Sequence, residues 1–207
     1  MSMAAADLIA DLKSSLGDAA AVFKAANDAD FIRFLDVAAL DLSRFRRRTL
    51  LGKVTLVAGQ AEYDAPADMV KPKLSMWGVS ALNRFNPWQN GYPGRLPRLG
   101  TSGDPQQRKL TMMPPPTSEQ ISSLGSRFDF YYYASHVIGD ASATTVRDED
   151  RGLLLLRAQA EAAKDLSIRN IHKAVNLRDG LSGGSLTGTP SALFRQLLDL
   201  FEQQAAV

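Results

Sequence analysis

The chain has 207 residues, 45% of them hydrophobic, with 24 basic against 22 acidic side chains and no cysteine. That length and apolar share suffice for a buried core, and the missing thiols exclude a disulfide framework, a thiolate metal site and thiol catalysis. The longest run without Asp, Glu, Lys or Arg is the 15 residues Gly180–Phe194, broken by four glycines and a proline, so no stretch reads as a membrane span.

At the amino end, Asp7 and Asp11 precede the first base, Lys13, which does not read as a secretory signal. In chain order, Leu8, Ile9, Leu12 and Leu16 predict a helix interrupted at Gly17, with Val22 and Phe23 continuing a short apolar stretch. A second helix carries the stripe Phe31, Phe34, Leu35, Ala38, Leu42 and Phe45, with Asn27 and Asp28 as N-cap candidates. Its end is basic, since Arg44, Arg46, Arg47 and Arg48 lie where cations favour a helix C-terminus. Beyond Thr49 the period changes. Thr49–Ala58 is rich in β-branched residues and leucine, Gly59-Gln60 reads as a turn, and Glu62-Tyr63-Asp64 reads as the return strand of a hairpin.

Met69–Val79 predicts a further strand that Pro72 restricts to a sheet edge. Residues 86–116 hold seven of the ten prolines and predict an irregular segment, with a short strand at Lys109–Met113. Phe128–Val137 is the clearest strand, in which Tyr131 and Tyr133 share one face and Tyr132 takes the other. Thr145 and Asp148 predict a capping-box variant opening a helix to about Lys173, buried through Leu153, Leu156, Ala160, Ala163 and Leu166. Gly180–Gly188 reads as a linker, and Thr189-Pro190 opens a last helix with the stripe Leu193, Phe194, Leu197, Leu198 and Phe201. The fold class is therefore α+β. Both chain ends, 1–48 and 145–207, are expected to form a helical bundle, with residues 49–144 as an inserted, irregular β region.

Catalytic constellations do not emerge. His136 and His172 fall in different elements with no ligand at helical spacing, and Asp148-Glu149-Asp150 is accounted for by a helix N-terminus. Leu181-Ser182-Gly183-Gly184-Ser185 looks like the signature loop of ABC-type ATPases, but the chain has no G-x-x-x-x-G-K-[ST] loop to bind the nucleotide first. No cofactor or metal is expected. Charge is segmental: residues 44–53 carry five bases and no acid, and 71–109 carry seven bases and one acid. With Trp77, Phe85, Trp88 and Tyr92 these bases form either a nucleic-acid groove with stacking groups or an ordinary packed, solvated insertion.

Several segments together resemble the head–tail adaptor (connector) proteins of tailed bacteriophages. They are Thr55–Asp68 after an arginine-rich helix end, Lys109–Pro116, the aromatic strand Phe130–His136 and the alanine-rich helix after Thr145. The resemblance extends over roughly residues 5–206. It implies a structural virion protein and no enzyme: a ring, usually of twelve subunits, beneath the portal vertex, continuing the DNA channel toward the tail. It further implies assembly in the host cytoplasm, a place in the virion neck, and contacts with the portal protein, the next neck or tail protein and, non-specifically, packaged DNA. On that reading Phe194, Leu197, Leu198 and Phe201 are portal-facing candidates, and Arg44, Arg46, Arg47 and Arg48 are candidates for DNA or partner contact. A neighbouring neck protein, such as a stopper or tail-completion factor, and a non-enzymatic nucleic-acid-binding protein are the alternatives.

Overall fold

A computed structural model describes residues 3–104, 107–140, 142–170 and 189–206. Helix and sheet are both present, as the α+β expectation requires. The chain divides into two compact units, one made of Met1–Arg47 and His136–Val207 and the other of Arg48–Ser135. The second unit ends ahead of the boundary at 144 read from the sequence, because His136 is held within the first: its backbone N–H donates to Ser43 Oγ at 2.8 Å.

In the first unit, α1 (Ala5–Leu16) buries Leu8, Ile9 and Leu12, and a 3-10 turn over Gly17–Val22 leads to the buried Phe23. Helix α2 (Ala29–Phe45) buries Phe31, Phe34, Leu35, Ala38, Ala39 and Leu42, the three-and-four spacing of a core stripe. Phe23, Phe31 and Phe34 meet edge to face, with centroids 5.0–6.2 Å apart. Asp28 is the N-cap residue, but its side chain does not cap α2: its carboxylate takes Lys13 at 2.6 Å instead.

The predicted capping box at Thr145 is not formed. Thr145 Oγ1 accepts from the Val137 N–H at 2.9 Å, so a 3-10 turn, Asp148–Asp150, precedes α5 (Arg151–Arg169). Helix α5 packs against α1, α2 and α6 (Pro190–Ala205), which explains why its buried face is wider than predicted. Leu154, Ala158 and Ala162 are fully buried beside Ala160 and Ala163, while Leu153, Leu156 and Leu166 sit at the margin. Thr189 caps α6 by accepting from the Ala192 N–H at 3.2 Å, with Pro190 in the first turn. His172, Leu181–Ser185, the Gly180–Gly188 linker and the end of the helix expected at Lys173 lie outside the described residues.

The second unit holds two three-stranded antiparallel sheets. One has the order β1 (Arg48–Thr55), β6 (Arg127–Ala134), β3 (Met69–Ser75); the other has the order β2 (Glu62–Asp64), β5 (Lys109–Met113), β4 (Arg98–Ser102). The predicted hairpin is therefore wrong: β1 pairs with β6 and β2 pairs with β5. Tyr63 accounts for the chain's turn without that pairing, since its hydroxyl accepts from the Val57 N–H at 3.1 Å and lies 3.2 Å from the Gln60 carbonyl. The proline-rich segment also contains a regular element, β4, whose five residues fall between Pro97 and Pro105. Pro72 does lie on an edge strand, with register shifts on both sides of it. In β6, Phe128, Phe130, Tyr132 and Ala134 are buried while Tyr131 is exposed, the predicted alternation.

Two short helices complete the unit: α3 (Val79–Arg84) and α4 (Ser118–Leu124). The second opens with a reciprocal capping box in which Thr117 Oγ1 accepts from the Gln120 N–H at 3.2 Å and Gln120 Oε1 accepts from the Thr117 N–H at 3.0 Å.

Candidate functional site

The arginine run does not form one surface patch. Arg44, in the last turn of α2, pairs with Asp41 at 3.2 Å. Arg46 Nη1 lies 2.5 Å from Asp150 Oδ1, and Asp150 is almost wholly buried. Arg48 donates to the Ser135 carbonyl at 3.1 Å. Arg47 also has a partner within the chain. Burying Asp150 without a cation would be costly, so Arg46 is better explained by satisfying that carboxylate than by waiting for a phosphate.

His136 is likewise structural in its setting. Its ring lies between two backbone carbonyls, with Nε2 2.7 Å from Arg46 O and Nδ1 3.1 Å from Thr145 O. Such a ring ties the end of α2 to the segment before α5 and has no free nitrogen for a metal. Among the described residues no group of three His, Asp or Glu side chains is placed to hold a metal ion, and no helix is long and apolar enough to cross a membrane.

The carboxyl-terminal helix separates the four predicted contact residues. Phe201 is 1% exposed and meets Phe45 edge to face at 5.7 Å, and Leu198 packs on the same core. Phe201 is thus committed to its own unit, because three-and-four spacing points it and Leu198 at α2 and α5. Phe194 and Leu197 are half-buried, and the outer side of α6 presents Leu193 and Leu200 instead.

The second unit contains a groove that brings together part of the basic and aromatic set read from the sequence, Trp77 and Tyr92 with Lys73, Arg95 and Arg98, and that does not include Phe85 or Trp88. The groove, of about 510 Å³, opens where β3 and β4, each an edge strand of its own sheet, come close. Its floor is apolar, with Trp77, Leu96, Leu99 and Phe128, and its rim carries Lys73, Arg95 and Arg98 and no acid. Lys73 lies over the Tyr133 ring at 5.2 Å, and neither Arg95 nor Arg98 has a carboxylate partner among the described residues. Gln120 holds Arg95 in place: its Nε2 donates to the Pro93 and Arg95 carbonyls at 2.8 and 3.1 Å. Gly78 is required beneath the floor, for at φ +73° a Cβ would come within 2.8 Å of Leu96 and Leu124. Of the predicted stacking groups, Trp77 tilts against Phe128 and donates to the Gly125 carbonyl, whereas Trp88 is 81% exposed. The bases over 71–109 together with Trp77 and Tyr92 signalled the groove in advance; Leu96, Leu99 and Phe128 join its floor through pairings that no local pattern contains.

The two units also differ in charge. Arg48–Ser135 carries ten basic and six acidic residues, and the remainder carries fourteen basic and sixteen acidic. Opposite net charges on two units of one chain favour contact between unlike faces of neighbouring copies.

The family model described as SU10 adaptor protein matches residues 3–180. No curated protein matches the chain.

Proposed function

The chain belongs to the SU10 adaptor protein family, and so is a structural component of a bacteriophage; on that premise we propose that it closes into a ring beneath the portal vertex and continues the DNA channel toward the tail. The observation that carries this reading is the opposite charge of the two units. A ring closes through heterologous contacts, each subunit offering two different faces, and oppositely charged units supply such faces. The total of +2 suits a passage that DNA must traverse without being held, since each phosphate neutralised adds salt-sensitive affinity.

The portal-facing element in this reading is the outer side of α6. Leu193 and Leu200 are 47% and 42% exposed there, beside the half-buried Phe194 and Leu197. The arginines at the end of α2 serve the chain's own carboxylates and carbonyls, which weakens the nucleic-acid reading of them.

The test is electron microscopy of the purified protein, alone and mixed with portal rings. The expected result is a closed ring, free or stacked on the portal. A protein that stays monomeric in both samples, or that binds duplex DNA tightly at low salt without adding to the portal, overturns the reading.

A further inference from the structure

A ridge on α2 complements the groove between β3 and β4. Ile32, Asp36 and Leu40 recur every fourth residue and so share one outward line of the helix, about 12 Å long. Ile32 and Leu40 are 44% and 54% exposed. Asp36, exposed between them, has no cation or hydrogen-bond partner for its side chain among the described residues. The ridge therefore reads apolar, acid, apolar. The groove offers the converse, an apolar floor under Lys73, Arg95 and Arg98.

We propose that the α2 ridge of one copy seats in the β3–β4 groove of the next, with Asp36 facing Arg95 and Arg98 and with Ile32 and Leu40 on the apolar floor. The inference rests on the ring reading above and gives its heterologous contact two named faces.

The edge of β3 argues against an extended strand as the occupant. Pro72 has no N–H to donate, and Arg108 already donates to the carbonyls of Met69 and Val70. An occupant must therefore be recognised by its side chains, as a helix ridge is. A phosphate backbone would use the cations but would leave Leu96 and Leu99 exposed to water. The setting of Asp36 points the same way: partial burial by its neighbours pushes its carboxyl above the usual carboxylate range. Cations supplied by the next copy would relieve that penalty.

The absence of native cysteine allows a clean test with the full chain. Two single variants, Asp36→Cys and Arg98→Cys, are mixed in equal amounts under mild oxidation, with Lys24→Cys replacing the first as control. Because each chain carries one thiol, a mixed disulfide joins different copies. The expected result is a mixed dimer from the first pair, well above the control. In the cysteine-free protein, sedimentation should show self-association weakened about tenfold by Asp36→Arg or by Arg98→Asp, and largely restored when both changes are combined.

Self-association that persists without the cross-link and is indifferent to both reversals overturns this inference and leaves the ring standing. Neither association nor cross-link, in the free protein and in the presence of portal rings alike, overturns both. A groove that binds another protein while the mixed dimer fails to form also overturns it.

Discussion

Arg157 in α5 donates through Nε to Asp41 in α2 at 2.7 Å, and the same guanidinium lies 3.1 Å from Glu161 one turn further along its own helix. Arg157 and Glu161 are both buried among the alanines of α5. The pair therefore fixes the register of α2 on α5 at a place where apolar packing supplies little shape. Arg157→Ala leaves Asp41 with the exposed Arg44 and Glu161 with the exposed Lys164, and removes the buried cation that joins the two helices, so it should lower stability by about 2–3 kcal/mol. Urea unfolding of the two proteins measures this directly.

Acid should loosen the same network. Burial alone pushes the Glu161 carboxyl up, but hydrogen bonds from Lys164, at 2.9 Å, and Arg157 outweigh it and hold the carboxyl below its usual range. Since the folded value is depressed, the unfolded chain takes up the proton first. The contribution is complete above the unfolded value, about 4.3 for a free Glu, and disappears as pH falls from there through the lower, folded one. Stability measured across that window should fall more steeply for the natural chain than for Glu161→Gln. Parallel profiles would refute the assignment.

Phe201→Ala removes a ring that fills the core beside Phe45, and an isolated subunit should lose about 3 kcal/mol. Leu193→Ala and Leu200→Ala, on the outside of the same helix, should change subunit stability by no more than about 0.5 kcal/mol. If the outer side of α6 meets the portal as proposed, their effect falls on that contact, and calorimetry and a portal pull-down with these variants should give opposite rankings.

Gly52 lies opposite Phe130 in the β1–β6 register, and a Cβ there would come within 2.6 Å of the ring. Gly52→Ala should cost about 1–3 kcal/mol through overpacking. Combining it with Phe130→Leu should recover part of that loss, because the two sites share one volume. Thermal unfolding of the single and double variants decides it.

Gln120 joins a helix cap to the groove rim. Gln120→Leu deprives the Pro93 and Arg95 carbonyls of their donor and removes half of the capping box. The expected outcome is a loss of about 1–3 kcal/mol and faster amide exchange at 94–96. Unchanged exchange there would show that the rim is held by other means.

The four longer helices were legible because each carries its own period, whereas α3 and α4, six and seven residues long, are too short to show one and were not predicted. Phe31 to Leu42 and Leu8 to Leu12 name their buried faces without reference to anything distant, and Thr189-Pro190 marks a helix start by local chemistry alone. The sheets were not legible in that way. Thr49–Ala58 and Glu62–Asp64 look like a hairpin because only a turn separates them, yet their partners, β6 and β5, lie far along the chain. Pairing is chosen by burial of Phe128, Phe130 and Tyr132, which local alternation does not reveal. The capping box Thr117–Gln120 was present in the letters and passed over, whereas Thr145 looked like a cap but was drawn to the backbone at Val137. The groove depended on two strand edges from different sheets, so its bases and the aromatics Trp77 and Tyr92 were visible beforehand but not its place.

The treatment of β3 bears on how this protein behaves when crowded with copies of itself. Pro72, two register shifts and the Arg108 guanidinium together deny an incoming chain the regular row of donors and acceptors that a growing β-stack needs. On the other sheet, the β2 edge is only three residues long. High local concentration should then favour ordered, finite contacts between side chains over fibrous growth, and replacing Pro72 together with Arg108 should reverse that preference.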